Sequence, residues 1–264
     1  MTNKTIHFAH ANGFPAGSYK KFLNHLSPDY AIIAKDKYAH DPQYPLNDNW
    51  ENQIDEMIDY IEQNKTNDKV IAIGHSFGAV LSYMAVCRRP DLFFGLIMFD
   101  PPLITGLSRY LFRFAKTNRL IDKLTPAGIT RLRNQKWASH HNLFEYFSSK
   151  ALFKDFDADC IHDYIDAVID ESNNVKTLNF NVEIEANIFR TIPHNLPSYK
   201  GKLRVPSTLI TGKNTNVCVP VLRNPFLKNN SVIEHLELDF GGHMFPLEKP
   251  VELANKVNMI LKGM

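Results

Sequence analysis

The chain has 264 residues, 44% of them hydrophobic and 22% charged, which excludes a disordered or fibrous protein and allows one large domain or two small ones. Thirty Lys and Arg stand against 28 Asp and Glu, so no general field recommends nucleic acid or an anionic membrane as a partner. Three widely spaced cysteines, Cys87, Cys160 and Cys218, form neither a disulfide framework nor a metal motif and fit a reducing compartment.

The chain opens on Met1-Thr2-Asn3-Lys4 and turns apolar at once, without the basic start, long apolar run and cleavage site of a signal peptide. No segment approaches the roughly 20 apolar residues that span a bilayer, and a cytoplasmic location is expected. Ile6 to Ala9 and Tyr30 to Ala34 are the first strands. Between them Tyr19, Phe22, Leu23 and Leu26 recur at the spacing of one helix face, and Pro28 ends that helix. A second helix starts near Asn49 and carries Trp50, Ile54, Met57, Ile58 and Ile61 on one stripe. Val70 to Ile73 and Leu96 to Phe99 are short apolar strands with a helical segment, Ala79 to Cys87, between them. Strands alternating with amphipathic helices predict βα units and a mostly parallel sheet.

From Pro101 to about Leu203 the strand rhythm gives way to helical spacing, as in Leu107, Tyr110, Leu111, Phe114 and again Ile161, Tyr164, Ile165, Val168. Basic residues between Arg109 and Arg133 interleave with Leu and Phe at that spacing, which predicts a solvated helix face. Strands return at Val205 to Thr211 and Val232 to Leu238, and a last helix carries Leu253, Val257, Ile260 and Leu261. The expected architecture is therefore α/β: a mostly parallel central sheet flanked by helices, built from residues 1–100 and 204–264, with residues 101–203 inserted as a helical cap.

One turn concentrates the chemistry. Val70-Ile71-Ala72-Ile73-Gly74-His75-Ser76-Phe77-Gly78-Ala79 sets a serine between two glycines, directly after a strand and before a helix. A serine at so sharp a turn has neighbours too close for side chains, so small residues two before and two after it let the turn close and leave the hydroxyl exposed. The following helix N-terminus offers free N–H groups to a developing negative charge, that of Phe77 first.

On this motif the chain resembles the α/β-hydrolase family, and the resemblance runs over essentially its whole length. It implies Ser76 as nucleophile and a histidine near the C-terminus as base; Asp239-Phe240-Gly241-Gly242-His243-Met244-Phe245-Pro246 follows the last strand as the family's histidine loop does. His7-Phe8-Ala9-His10-Ala11-Asn12-Gly13-Phe14-Pro15 looks like the family's oxyanion loop, with Asn12 or, in a second alignment, Phe14 as the donor that joins Phe77, and His10 orienting the loop. The acid departs from the family pattern. Thr211-Gly212-Lys213-Asn214-Thr215-Asn216 has no carboxylate, and Asn216 stands where an aspartate is usual. An asparagine cannot compensate an imidazolium charge, so Asp100, at the end of the strand after the elbow helix, is the favoured acid and Asn216 the alternative.

The resemblance implies a serine hydrolase that attacks an ester carbonyl, with thioesters, lactones, amides or C–C bonds open on the same framework and no metal or organic cofactor required. The inserted segment holds aromatic residues from Phe112 to Phe153, and His10, Phe14, Trp137 and Phe144 are candidate contacts for a small apolar substrate. The missing acid after the late strand keeps a different class open, a ligand receptor on a hydrolase fold.

Overall fold

The computed structural model describes residues 4–118 and 120–264; Met1 to Asn3 of the opening and Arg119 of the basic stretch lie outside the described residues. The chain begins with β1 (Lys4–Ala9), α1 (Lys20–Asn24), β2 (Tyr30–Ala34), α2 (Glu51–Asn64), β3 (Val70–His75), α3 (Phe77–Arg88) and β4 (Phe93–Phe99). An insertion follows, with α4 (Ser108–Thr117), α5 (Ile121–Leu124), α6 (Ala127–Thr130), β5 (Lys136–Ala138), α7 (Leu143–Ser148), α8 (Ala158–Val168), β6 (Ile169–Ser172), β7 (Val175–Leu178) and α9 (Val182–Arg190). The sheet resumes with β8 (Ser207–Thr211), α10 (Pro220–Asn229), β9 (Ile233–Glu237), α11 (Phe245–Glu248) and α12 (Pro250–Leu261).

Six strands pair in the order β2-β1-β3-β4-β8-β9, every pair parallel. Parallel strands with helices on both faces are buried on both sides, which is why β3 and β4 read as unbroken apolar runs. Alternate residues still divide between the faces. Val70 and Ala72 join Ile54, Met57 and Ile61 of α2 in one core, while Ile71 and Ile73 join Leu253, Val257 and Leu261 of α12 in the other. The chain runs outward from β1 to β2 and then returns to the other side of β1 as β3. That reversal opens a crevice at the carboxyl ends of β1 and β3, where open parallel sheets take their ligands.

Three features depart from expectation. The insertion is not wholly helical: β5, β7 and β6 form a three-stranded antiparallel sheet. Its hairpin turns on Asn173-Asn174, both at positive φ (50° and 61°), the backbone a tight two-residue hairpin turn demands and asparagine tolerates. Helix α10 lies where no helix was expected, because Pro225 inside it interrupts the pattern that marks a helix. And α4 turns its apolar stripe outward, leaving Leu107, Tyr110, Leu111 and Phe114 more than half exposed instead of packed beneath a solvated basic face.

Among the described residues no helix is long and apolar enough to cross a membrane. Backbones pack closely where the carboxyl end of β1 meets α3. A Cβ added at Gly78 would sit 2.2 Å from the Ala9 carbonyl oxygen and 2.6 Å from that of His10, so α3 can abut the end of β1 only with glycine there. Gly78→Ala should therefore destabilise the fold by about 1–3 kcal/mol, read as a lowered midpoint in urea unfolding with the m-value unchanged.

Candidate active site

Ser76 joins β3 to α3 with φ 53° and ψ −115°, a backbone ordinary residues avoid. Its N–H donates to the Phe99 carbonyl on β4 (2.8 Å), which anchors the turn to the neighbouring strand. The side chain is half-buried and faces the imidazole of His243, whose Nε2 lies 3.1 Å from Ser76 Oγ. His243 Nδ1 lies 2.6 Å from Asp100 Oδ2. A carboxylate can only accept, so Nδ1 carries the proton and the Nε2 lone pair is turned to the serine hydroxyl.

Asp100 is fully buried and follows β4 directly, at φ 43°. Its N–H donates to the Ile210 carbonyl of β8 (2.9 Å), and its Oδ2 also accepts from Thr215 Oγ1 (2.6 Å). Of the two acid candidates, Asp100 is brought to His243; Asn216 is exposed on the loop beyond. That loop contributes the hydroxyl of Thr215, a residue the sequence did not single out because one threonine after a strand has no signature. Thr215 Oγ1 is itself fixed by the amide of Val217 (3.1 Å). Both donors converge on Oδ2, and Asp100 Oδ1 is buried without a hydrogen-bond partner among the described residues.

At the end of β1, residues Ala11 to Phe14 make a turn closed by the Phe14 amide to the Ala11 carbonyl (3.1 Å), with Gly13 at φ 77° in the third position, where a type II turn needs it. The Phe14 amide is thus occupied, which removes it as an oxyanion donor. The Asn12 amide, at the second position, is not engaged by the turn. The Gly78 amide donates to the His10 carbonyl (3.1 Å), so the loop carrying Asn12 and the helix starting at Phe77 are held side by side. A carbonyl attacked by Ser76 can develop its charge between those two backbone N–H groups.

His10 itself is nine-tenths buried, with both ring nitrogens on backbone: Nε2 accepts from the Tyr38 amide (3.0 Å), which leaves Nδ1–H to donate to the Ala11 carbonyl (2.8 Å). Burial pushes its pKa down to about 4, so the ring is neutral at pH 7. It shapes the loop, and both its ring nitrogens are taken by backbone. The Phe14 ring is packed as well, buried against Phe153, Phe156 and Tyr164 at centroid distances of 5.8, 5.9 and 5.0 Å. Trp137 is buried against Tyr146 and Phe147. Phe144 stacks on His162 (4.7 Å, 19°) at an open surface cavity of about 570 Å³ whose lining includes neither Ser76 nor His243. These rings pack the insertion and do not gather round the serine.

His75, the neighbour of Ser76 in the turn, has a specific structural part. His75 Nε2 lies 2.9 Å from the backbone carbonyl of His243, and its Nδ1 lies 2.7 Å from Tyr19 Oη. Tyr19 Oη in turn accepts from the Ala11 amide (3.2 Å). Burial holds the His75 pKa well below the ordinary histidine value, so the neutral ring has one proton, on Nε2 toward the carbonyl. One hydrogen-bonded chain, buried from Ala11 to His75, runs from Ala11 N–H to Tyr19 O–H to His75 to His243 C=O and joins the loop after β1 to the histidine loop. Tyr19→Phe leaves a buried amide and a buried ring nitrogen unpaired. It should lower unfolding free energy by about 1–3 kcal/mol, measured by chemical denaturation.

A family model described as the alpha/beta hydrolase fold matches residues 11–250. The chain is 24% identical over 259 residues to the Karrikin insensitive 2 receptor IA of Petunia hybrida, covering 94% of this chain and 86% of that protein. Among solved structures, E-2-(acetamidomethylene)succinate hydrolase superposes with a TM-score of 0.80 at 13% identity, covering 98% of this chain and 91% of that one. A peroxisomal alpha-beta-hydrolase from Saccharomyces cerevisiae superposes with a TM-score of 0.74 at 17% identity, covering 98% and 77%. At such identities the superpositions speak to fold alone. The family match takes in the sheet from the end of its first strand, the insertion and the histidine loop, and the chain belongs to the alpha/beta hydrolase fold family.

Proposed function

We propose that the protein is a serine hydrolase of the carboxylesterase type, cleaving small to medium acyl or aryl esters through an acyl-enzyme. One observation carries this reading: the continuous hydrogen-bonded series Asp100–His243–Ser76, with contacts of 2.6 and 3.1 Å. His243 Nε2 takes the proton of Ser76 Oγ as that oxygen attacks the carbonyl carbon, and the buried Asp100 carboxylate stabilises the imidazolium that results. The amides of Phe77 and Asn12 hold the oxyanion. His243 then gives its proton to the leaving alcohol, and a water activated by the same imidazole releases the acid.

The insertion acts as a lid in this reading. Support comes from α9, where the Glu185 carbonyl accepts from Asn12 Nδ2 (2.9 Å), so the insertion rests directly on the oxyanion loop. Beside it Arg133 Nη1 donates to both carboxylate oxygens of Glu185 (2.7 and 2.8 Å), a largely buried pair against Gly13. The pocket that selects the acyl and leaving groups is set by side chains and not by the fold, which leaves thioester, lactone and C–C bond cleavage as variants of the same chemistry.

The similarity to a plant receptor favours a second reading, a hydrolase-fold ligand receptor. A fluorophosphonate probe separates the two: covalent labelling of the wild type and none of Ser76→Ala is expected, and a folded wild type that stays unlabelled would establish the receptor instead. Replacing Asp100 by Asn should lower kcat on a short p-nitrophenyl ester by about 10⁴-fold, with Asn216→Asp unable to restore it in the double variant. Full turnover by Asp100→Asn would remove the carboxylate from the mechanism.

A further inference from the structure

We propose that α4 docks the protein on an anionic lipid surface. Leu107, Tyr110, Leu111 and Phe114 fall at the spacing of one helix face and are 86, 56, 54 and 59% exposed. A helix of a globular protein normally turns such a stripe into the core. Here a different face is anchored: Ala115 is buried, and Phe112 packs against the core that contains Phe77 and Trp50. The outward stripe is therefore surplus to folding, and exposed apolar patches of this kind mark interaction sites. Helix α10 extends it. Thr105 Oγ1 donates to the Leu222 carbonyl (2.7 Å), tying α10 to the start of the segment, and the neighbouring Val221 is 76% exposed.

Charge selects the occupant. Between Asp100 and Asp122 the sequence holds Arg109, Arg113, Lys116 and Arg119 and no carboxylate. Lys116 is engaged with Asp48 (2.5 Å), but the Arg109 guanidinium lies over the Tyr110 ring, 4.4 Å from its centroid, and Arg113 is exposed one turn further on. A chain with a formal net charge of only +2 thus places two arginines directly beside this exposed apolar stripe. Apolar residues seated at the acyl boundary with arginines at the headgroups is the arrangement by which an amphipathic helix lies in a membrane interface. A second copy of the chain fits less well, because a two-fold contact would set the arginines of one α4 against those of the other.

The full-length chain should sediment with vesicles containing phosphatidylglycerol, stay in solution with pure phosphatidylcholine, and be released by salt as the headgroup attraction is screened. Arg109→Gln with Arg113→Gln should lower the partition coefficient about thirtyfold, and Leu111→Ser with Phe114→Ser about tenfold or more. Because Leu111, Arg113 and Phe114 are exposed and the half-buried Arg109 rests only on the exposed Tyr110 ring, circular dichroism and melting should match the wild type. Ser76→Ala should bind vesicles as the wild type does, which keeps this surface separate from the hydrolase reading. Failure of the wild type to bind phosphatidylglycerol vesicles at low salt overturns the proposal, as does equal binding by both double variants. A dimer in solution that Leu111→Ser dissociates, without vesicle binding, would assign the stripe to a second copy and overturn it equally.

Discussion

The backbone at Ser76 is held where a side chain is costly, and the molecule is arranged to keep it there. On one side the Ser76 amide is bonded to β4, and on the other the Gly78 amide is bonded to the end of β1. A Cβ at Gly74 would come 2.3 Å from the Gly78 carbonyl oxygen, so the two ends of the turn are in contact through bare backbone. This crowding makes α3 begin immediately at Phe77, with its first amide and the serine oxygen on the same side of the sheet edge. Strain at one residue is maintained by the registers of three adjacent strands, which no local preference could supply.

The same arrangement brings Asp100 to the histidine loop. Asp100 ends β4 at positive φ, and its amide is bonded to β8 as that of Ser76 is bonded to β4. Two successive strands therefore break at the same level, and their side chains approach the histidine loop from neighbouring positions. The loop after β8, released from providing a carboxylate, provides a hydroxyl instead. Thr215 donates to the oxygen that also receives His243, which distributes the buried charge over two donors.

Around this series the protein uses histidines as neutral connectors. His7, His10 and His75 are buried, and burial pushes their pKa values down, His7 to about 3 and His10 to about 4. A neutral imidazole has one donor and one acceptor on opposite sides, so His10 and His75 each join two segments with a fixed polarity, while His7 bonds through Nε2 and its Nδ1 has no hydrogen-bond partner among the described residues. His7 meets Tyr38 Oη (2.7 Å), His10 joins Tyr38 to Ala11, and His75 joins Tyr19 to His243. A charged residue in these places would need a counter-ion in the core. The largely buried ion pair of Glu185 with Arg133 comes from the insertion and packs over Gly13, where a side chain would collide with it.

Sequence alone was enough for the sheet strands, most of the helices beside them and the nearness of Ser76 to His243. Burial on both faces writes parallel strands as apolar runs, and a strand, two glycines and a helix around a serine allow little besides the turn that was found. It left open which of Asp100 and Asn216 faces the imidazole and which of Asn12 and Phe14 offers its amide, and it had no means of seeing Thr215 or the part played by Tyr19. Pairing between strands far apart in the chain brings Asp100 to the imidazole, and a local turn to Ala11 occupies the Phe14 amide. The insertion was least legible: its hairpin rests on two asparagines, and α4 has the periodicity of a packed helix yet shows its apolar face to water. Periodicity records that a helix has two unlike faces, but only the surrounding tertiary structure determines which of them is covered.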